Sequence, residues 1–161
     1  GVERIFQTQE EIDALDRTAQ ARFGANARYQ TTLTRPGDIK FRDLNGDGRV
    51  TGDDQEILGS GQPDFFGGVN NTLRYKGFDL SVFVQYQFGN EIYNNTRAFS
   101  EGMNGVFGQS TTVLNRWTPT NTDTDIPRAV LGDPNNNRRV SDRFIEDGSY
   151  VRLRNVRLGY S

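Results

Sequence analysis

The residues best suited to chemistry lie in one short stretch, Asp43-Leu44-Asn45-Gly46-Asp47-Gly48-Arg49-Val50-Thr51-Gly52-Asp53-Asp54. Side-chain oxygens fall at positions 1, 3 and 5, glycine stands at 6 where such a loop turns sharply, and an acid closes the run at position 12. Arg49, at position 7, offers its backbone carbonyl. Ca²⁺ seeks about six to eight oxygens around one point, and a looped dodecamer delivers them from a single segment. Asp43, Asn45, Asp47, Arg49 and Asp54 are therefore the expected ligands of a structural Ca²⁺. Asp54 is shorter than the Glu that usually closes such loops, and without an ion the same residues make an Asp/Asn/Gly turn.

Other constellations carry less. The pairs Asp53/Asp54 and Glu146/Asp147 have nothing apolar around them that would tune them for acid–base work, and read as surface charge. Asn70-x-Thr72 and Asn94-x-Thr96 match a short, common glycosylation pattern. Arg152, Arg154 and Arg157 together with Arg138, Arg139 and Arg143 form a basic cluster, whose strand members are expected to line a polar interior. With no His and no Cys, His triads, His bases, zinc sites and thiolates fall away. No catalytic constellation is left, so the chain is not expected to be an enzyme. Nineteen basic against 21 acidic residues, net −2, give no electrostatic footprint for nucleic acid.

These residues must be positioned by elements that the composition constrains. Among 161 residues only 34% are hydrophobic, while 11% are aromatic and glycine numbers 18; mean hydropathy is −0.72. A generous core is out of reach for such a chain, yet disordered chains are poor in aromatics. Short strands with aromatic faces, joined by long polar loops, fit both facts. No apolar run approaches the length of a membrane helix, a test that strands of alternating hydrophobicity escape.

Thr8-Gln9-Glu10-Glu11 reads as a capping box, with Glu11 reaching back to Thr8. Ile12, Leu15 and Ala19 follow at helical spacing until Phe23-Gly24 stops the helix, predicted over about 9–22. Arg35-Pro36-Gly37 is a turn, Asp38 to Asp43 alternates as a short strand, and Gln55 to Leu58 is expected to form one helical turn. From Gly68 to Lys76, Val69, Leu73 and Tyr75 share odd positions. After a tight Lys76-Gly77 turn, Phe78, Leu80, Val82, Val84, Tyr86 and Phe88 share one face, with Phe83 alone among polar residues on the other. This is a hairpin with an apolar and a polar face. Residues 90–148 read as one long excursion anchored at Trp117-Thr118-Pro119 and Ile126-Pro127. Tyr150 to Tyr160 alternates again with a slip in phase, which a bulge near Asn155 would repair.

Pro36 to Gly48, then Asn70 to Phe83, then Ser149 to Ser161 closely resemble, in that order, the C-terminal part of SusC/RagA-type TonB-dependent outer-membrane transporters of Bacteroidota. The match covers 35–93 and 149–161 well, the helix and the 94–148 loop loosely. The resemblance implies an all-β membrane barrel of 22 strands with a plug, paired with a SusD-like surface lipoprotein. Its partners would be the TonB complex, outer-membrane lipid, and glycan or peptide cargo. On that reading the chain is a barrel fragment of antiparallel strands with long extracellular loops and one short N-terminal helix. Residues 1–65 form an extracellular region holding the helix and the 43–54 cation loop, and 66–89 a transmembrane hairpin. Residues 90–148 form a second extracellular loop and 149–161 a strand ending mid-barrel, since open strand edges are not viable in lipid. The Lys76-Gly77 turn then belongs on the periplasmic side, and the location is the outer membrane. The competing expectation is a soluble calcium-binding, β-rich interaction or carbohydrate-binding module. A dockerin-like module of that kind would need a second loop of the same spacing, and there is none.

Overall fold

The computed structural model describes residues 1–161, which divide into two compact units, 1–58 with 94–144 and 59–93 with 145–161.

In the first unit, β1 (Val2–Ile5) pairs antiparallel with β2 (Ile39–Phe41), bringing Ile5 opposite Ile39. β1 is an element the sequence reading lacks. Between them runs α1 (Gln9–Phe23), whose first turn is capped by the Thr8 hydroxyl accepting from the Glu11 N–H at 3.3 Å. Glu11 itself reaches one residue beyond the expected partner and accepts from the Gln7 N–H at 3.3 Å. The helix ends at Gly24, whose φ of 98° only glycine adopts without strain. Its apolar stripe buries Ile12 and Ala19, and Ile12 joins Phe6 and Tyr29 in a small core against which Leu15 and Val50 pack.

The outer edge of β2 has no strand beside it. Side-chain amides take that place. The Ile39 N–H donates to Asn137 Oδ1 at 2.8 Å, the Ile39 carbonyl accepts from Asn135 Nδ2 at 3.0 Å, and the Phe41 N–H donates to Gln30 Oε1 at 2.7 Å. Asp38, fully buried, is gripped by Arg128 through Nε at 2.8 Å and Nη2 at 3.1 Å. Gly37, at φ 89°, lies under the Trp117 ring with Arg128 Cβ 2.8 Å from where a Cβ would stand, so no larger residue fits. Residues 94–144 are thus no structureless excursion. They contain α2 (Asn95–Ser100) and 3₁₀ turns at Thr111–Asn115 and Asp142–Phe144, and bury Ala98, Val113 and Phe144 besides the expected Trp117 and Ile126. The helical turn expected at Gln55 to Leu58 lies instead at Gly52–Asp54, because Thr51 caps it.

The second unit is a meander of β3 (Phe65–Tyr75), β4 (Phe78–Phe88) and β7 (Tyr150–Tyr160), in the order β3-β4-β7. The short pair β5 (Glu91–Tyr93) and β6 (Ile145–Asp147) forms its own two-stranded ladder. Lys76 and Gly77 have φ of 45° and 82°, the signature of a two-residue turn whose twist matches the strands. The hairpin begins at Phe65, three residues before the periodicity becomes legible. In β7 the register jumps between Asn155 and Leu153, leaving Arg154 unpaired as a bulge where the phase slip required one.

Paired residues share a face, so the register defines two. One carries Val69, Leu73, Leu80, Val82 and Val84, continued on β7 by Val151, Leu153, Val156 and Leu158. It is not wholly apolar as expected, because Asn71 stands on it opposite Val82. The other face is polar apart from Phe66, Phe83 and Tyr150. In a membrane-embedded parent, Val82→Arg should cost about 2–4 kcal/mol near the midplane and Ser81→Arg much less. Refolding titrations into lipid measure both, and equal costs would reverse the assignment of faces.

Candidate functional site

Two features could carry function, the sheet and the Asp43–Asp54 loop.

Nothing in the second unit covers either side of the sheet. β3 and β7 are exposed along nearly their whole length, and large apolar side chains such as Leu73 and Leu158 stand 60% and 70% exposed. The apolar face is bracketed by rings. Phe65, Tyr86 and Phe88 cluster at one end with centroids 5.2–6.3 Å apart. Phe78 and Tyr160 meet at 4.8 Å at the other, beside Tyr75. Between Phe78 and Phe88 the strand runs roughly 33 Å, or roughly 25 Å in height once tilted as barrel strands are, which is the apolar band of an outer-membrane barrel. Gly67 and Gly68 make ring seats on the two faces. A Cβ on Gly67 would stand 2.7 Å from Tyr86 Oη, and one on Gly68 2.6 Å from Phe83 Cε2. The doubled glycine after Phe65-Phe66 was the only sequence sign of this.

The five expected cation ligands do share one loop. Asp43 Oδ1 accepts from the Gly46 and Asp47 N–H groups at 2.8 and 3.2 Å, and its Oδ2 from Gly48 at 2.7 Å. Asn45 Oδ1 takes the Asp47 N–H at 2.8 Å, and Asp47 Oδ1 the Arg49 N–H at 2.8 Å. Asp54, 5% exposed, folds back so that Oδ1 takes the Leu44 and Asn45 N–H groups at 2.8 and 3.3 Å and Oδ2 that of Thr51 at 2.7 Å. An ionised carboxylate offers about four lone-pair directions, so three N–H partners leave Asp43 about one, while three N–H groups and the Thr51 hydroxyl leave Asp54 none. No three His, Cys, Asp or Glu side chains converge on a point. The oxygens present are of the kind Ca²⁺ takes, but in this geometry most of their capacity serves the loop's own backbone.

The loop is also tied to its surroundings. Arg22 donates to the Gly46 and Asp47 carbonyls at 3.1 and 2.9 Å, and the Arg49 guanidinium lies 3.7 Å over the Phe23 ring. Tyr29 donates its hydroxyl to the Phe41 carbonyl at 2.8 Å. Burial, reinforced by Glu3, Asp43 and Asp54, raises its pKa so that it stays a donor. A cavity of about 630 Å³ opens beside Asp54 and Thr51, lined also by Phe41, Glu56 and Arg139.

The remaining candidates do not assemble. Asp53 is exposed while Asp54 is committed to the backbone. The basic cluster separates. Arg143 pairs with Glu101 at 2.8 Å and Arg139 with the Asn135 carbonyl at 3.0 Å in the first unit, whereas Arg152 and Arg157 stand on the polar face of the sheet. Asn94 caps α2 by accepting from the Arg97 N–H, and Asn70 accepts from the Ser81 hydroxyl, both ordinary structural uses.

Burial alone pushes the Asp54 carboxyl up, but the Thr51, Leu44 and Asn45 N–H groups and the Thr51 hydroxyl outweigh it and hold it below its ordinary 3.8. Its folded pKa is the lower one, so its stabilisation is present above the unfolded value and lost as pH falls through the folded one. Hydrogen-exchange protection of the Leu44 and Thr51 amides should therefore persist from neutrality down to about pH 5 and fall in strong acid. Asp54→Asn should lower it at neutral pH and converge with the parent in strong acid, and unchanged protection at neutral pH in that variant would contradict the assignment.

No protein-family model matches the chain. It is 42% identical over 126 residues to TonB-dependent receptor P3 of Formosa agariphila, covering 78% of this chain and 12% of that protein. It is 26% identical over 129 residues to TonB-dependent receptor SusC of Bacteroides thetaiotaomicron, covering 79% and 12%. Among solved structures, the RagAB peptide transporter matches with TM-score 0.55 and 31% identity over 65% of this chain and 11% of that one. The RagAB peptide importer in its closed-closed state matches with TM-score 0.59 and 29% identity over 70% and 12%. The chain thus spans about 12% of the length of the curated relatives it matches. A ring-bracketed meander open on both edges needs further strands to close it, and the proteins that share its sequence at up to 43% identity are TonB-dependent receptors. The chain belongs to the SusC/RagA family of TonB-dependent receptors.

Proposed function

We propose that this chain forms part of the wall and outer loops of an outer-membrane importer that takes up glycans or peptides with a SusD-like surface lipoprotein, energised through TonB. The observation that carries the reading is the uncovered sheet, apolar between two sets of rings on one face and polar on the other. Lipid on the first face and water on the second satisfy it without any further protein layer. The two-residue turn at Lys76-Gly77 lies on the periplasmic side, and 1–65 and 90–148 lie outside. The role is transport and not catalysis.

In the source bacterium, the full-length receptor should fractionate with the outer membrane and co-purify with a surface lipoprotein. Its deletion should abolish energy-dependent uptake of one labelled glycan or peptide pool. A receptor found in the cytosol, or one whose deletion leaves both pools entering at the parental rate, would overturn the reading.

The Asp43–Asp54 loop is proposed to hold a structural Ca²⁺ through side-chain oxygens of Asp43, Asn45, Asp47 and Asp54 and the carbonyl of Arg49. What supports this is the spacing, together with the retention of all four side chains within one loop. An ion would order the path from β2 toward the hairpin without taking part in transport chemistry. Titration calorimetry on the full-length receptor should find one Ca²⁺ equivalent fewer in Asp47→Ala than in the parent. Identical stoichiometry and heat in the two proteins would exclude the site.

A further inference from the structure

The Asp43–Asp54 loop contains two chemically labile bonds, Asn45-Gly46 and Asp47-Gly48. The main-chain nitrogen that follows an Asn or Asp can attack that residue's Cγ and close a cyclic imide, and a glycine at the following position puts no side chain in the way. The loop cannot avoid these glycines. Gly46 and Gly48 stand at φ 72° and 94°, left-handed values that a larger residue takes only with strain. Both attacking nitrogens are held by one carboxylate. The Gly46 N–H donates to Asp43 Oδ1 at 2.8 Å and the Gly48 N–H to Asp43 Oδ2 at 2.7 Å. Between them the Asp47 N–H donates to Asp43 Oδ1 at 3.2 Å and to Asn45 Oδ1 at 2.8 Å. All these contacts lie between Asp43 and Gly48, so they hold whatever the rest of the receptor packs around the loop.

We propose that Asn45-Gly46 and Asp47-Gly48 are sites of self-modification through cyclic imides, and that Asp43 keeps both closed in the folded loop. A planar amide nitrogen makes its three bonds in one plane, and in the imide Cγ occupies the direction in which the N–H now points. For Gly46 and Gly48 that direction is taken by an Asp43 oxygen. Ring closure therefore requires each nitrogen to leave Asp43 first. The Asp47 N–H on Asn45 Oδ1 would by itself polarise the side-chain carbonyl and favour attack, so the hindrance acts at the nitrogen. When Asn45 reacts, the Gly46 nitrogen bonds to Cγ, its proton leaves with the Nδ2 group as ammonia, and water reopens the ring at either carbonyl. The product is an aspartyl or isoaspartyl residue at position 45. When Asp47 reacts, the Gly48 nitrogen bonds to Cγ with loss of water, and water reopens the ring in the same two ways. The isoaspartyl form carries an extra main-chain carbon, so after reaction at position 45 the Gly46 and Gly48 amides no longer fit one carboxylate. The first modification thereby releases the second bond. None of this depends on transport or on an ion in the loop.

The test incubates the full-length receptor at growth temperature with a chelator, so that no cation contributes, and follows deamidation at position 45 and isoaspartate at 45 and 47 by peptide mapping. Both positions of the folded parent should react about tenfold or more slowly than in the same protein unfolded in denaturant, the factor expected when a hydrogen bond to a charged acceptor must break first. Asp43→Ala should bring both close to the unfolded rate, and Asp43→Asn, with one acceptor oxygen left, should restore part of the protection. Arg22→Gln removes the bonds to the Gly46 and Asp47 carbonyls but leaves Asp43 in place, and should react as the parent does. Hydrogen exchange at the Leu44 and Thr51 amides, scored in each variant, reports whether the loop is still folded. Equal rates in the folded and unfolded parent, or an Asp43→Ala protein that reacts no faster than the parent, overturn the proposal. So does equal acceleration by Arg22→Gln, or an acceleration in Asp43→Ala that comes only with loss of protection at Leu44 and Thr51, since loop order and not Asp43 is then the guard.

Discussion

A strand of three residues with nothing beside it would leave buried main-chain donors and acceptors unpaired, each a cost of about 1–3 kcal/mol. In the first unit that constraint falls on the outer edge of β2, and the amides of Asn135, Asn137 and Gln30 meet it by reproducing the donor and acceptor sequence of an absent strand. Asn137 reaches Ile39 across 98 residues of sequence. The same contact brings Arg128 onto buried Asp38 and Trp117 over Gly37. Removing one member of such a buried pair leaves a charge uncompensated, which costs about 3–5 kcal/mol where burial is complete and less here, since Arg128 is partly exposed. The long loop is therefore ordered by its polar residues more than by its few apolar ones.

The sheet of the second unit solves the opposite problem. It has ample apolar surface and nothing in the unit to cover it. Alternation at period two puts that surface on one face, the bulge at Arg154 keeps β7 in phase with β4, and the aromatic ends define a band of bilayer height. Two of the exceptions on these faces, Phe83 and Asn71, differ in kind. Phe83 is explained by Gly68, which leaves room for its ring. Asn71 opposite Val82 is unexplained by any contact within the sheet.

The Asp43–Asp54 loop shows how one pattern of oxygens can answer two demands. Acids and amides at alternate positions suit a cation, and they equally suit the N–H groups of a tight loop, which converge on Asp43 and Asp54. Spacing alone does not separate these uses, because both need oxygens pointing inward. The geometry assigns the inward oxygens to backbone donors first, so an ion has to compete with or supplement them.

By itself the sequence determined whatever depends on local periodicity and local turn chemistry. That includes the α1 stripe of Ile12 and Ala19, the Lys76-Gly77 turn, the shared face of Leu80 to Phe88, and the extra residue in β7. The family resemblance was legible in the same stretches, since they are the ones whose residues are constrained by their immediate neighbours. Tertiary structure alone decided that Val2–Ile5 is a strand, that Asp54 is buried against Leu44 and Thr51, and that Asn135 and Asn137 complete the edge of β2. It also divided the arginines between Glu101 and the open polar face. The reason is physical: period and turn type follow from neighbours a few residues apart. An amide that pairs with a strand some hundred residues away leaves no periodic mark, and an Asn-rich tract reads the same whether solvated or buried.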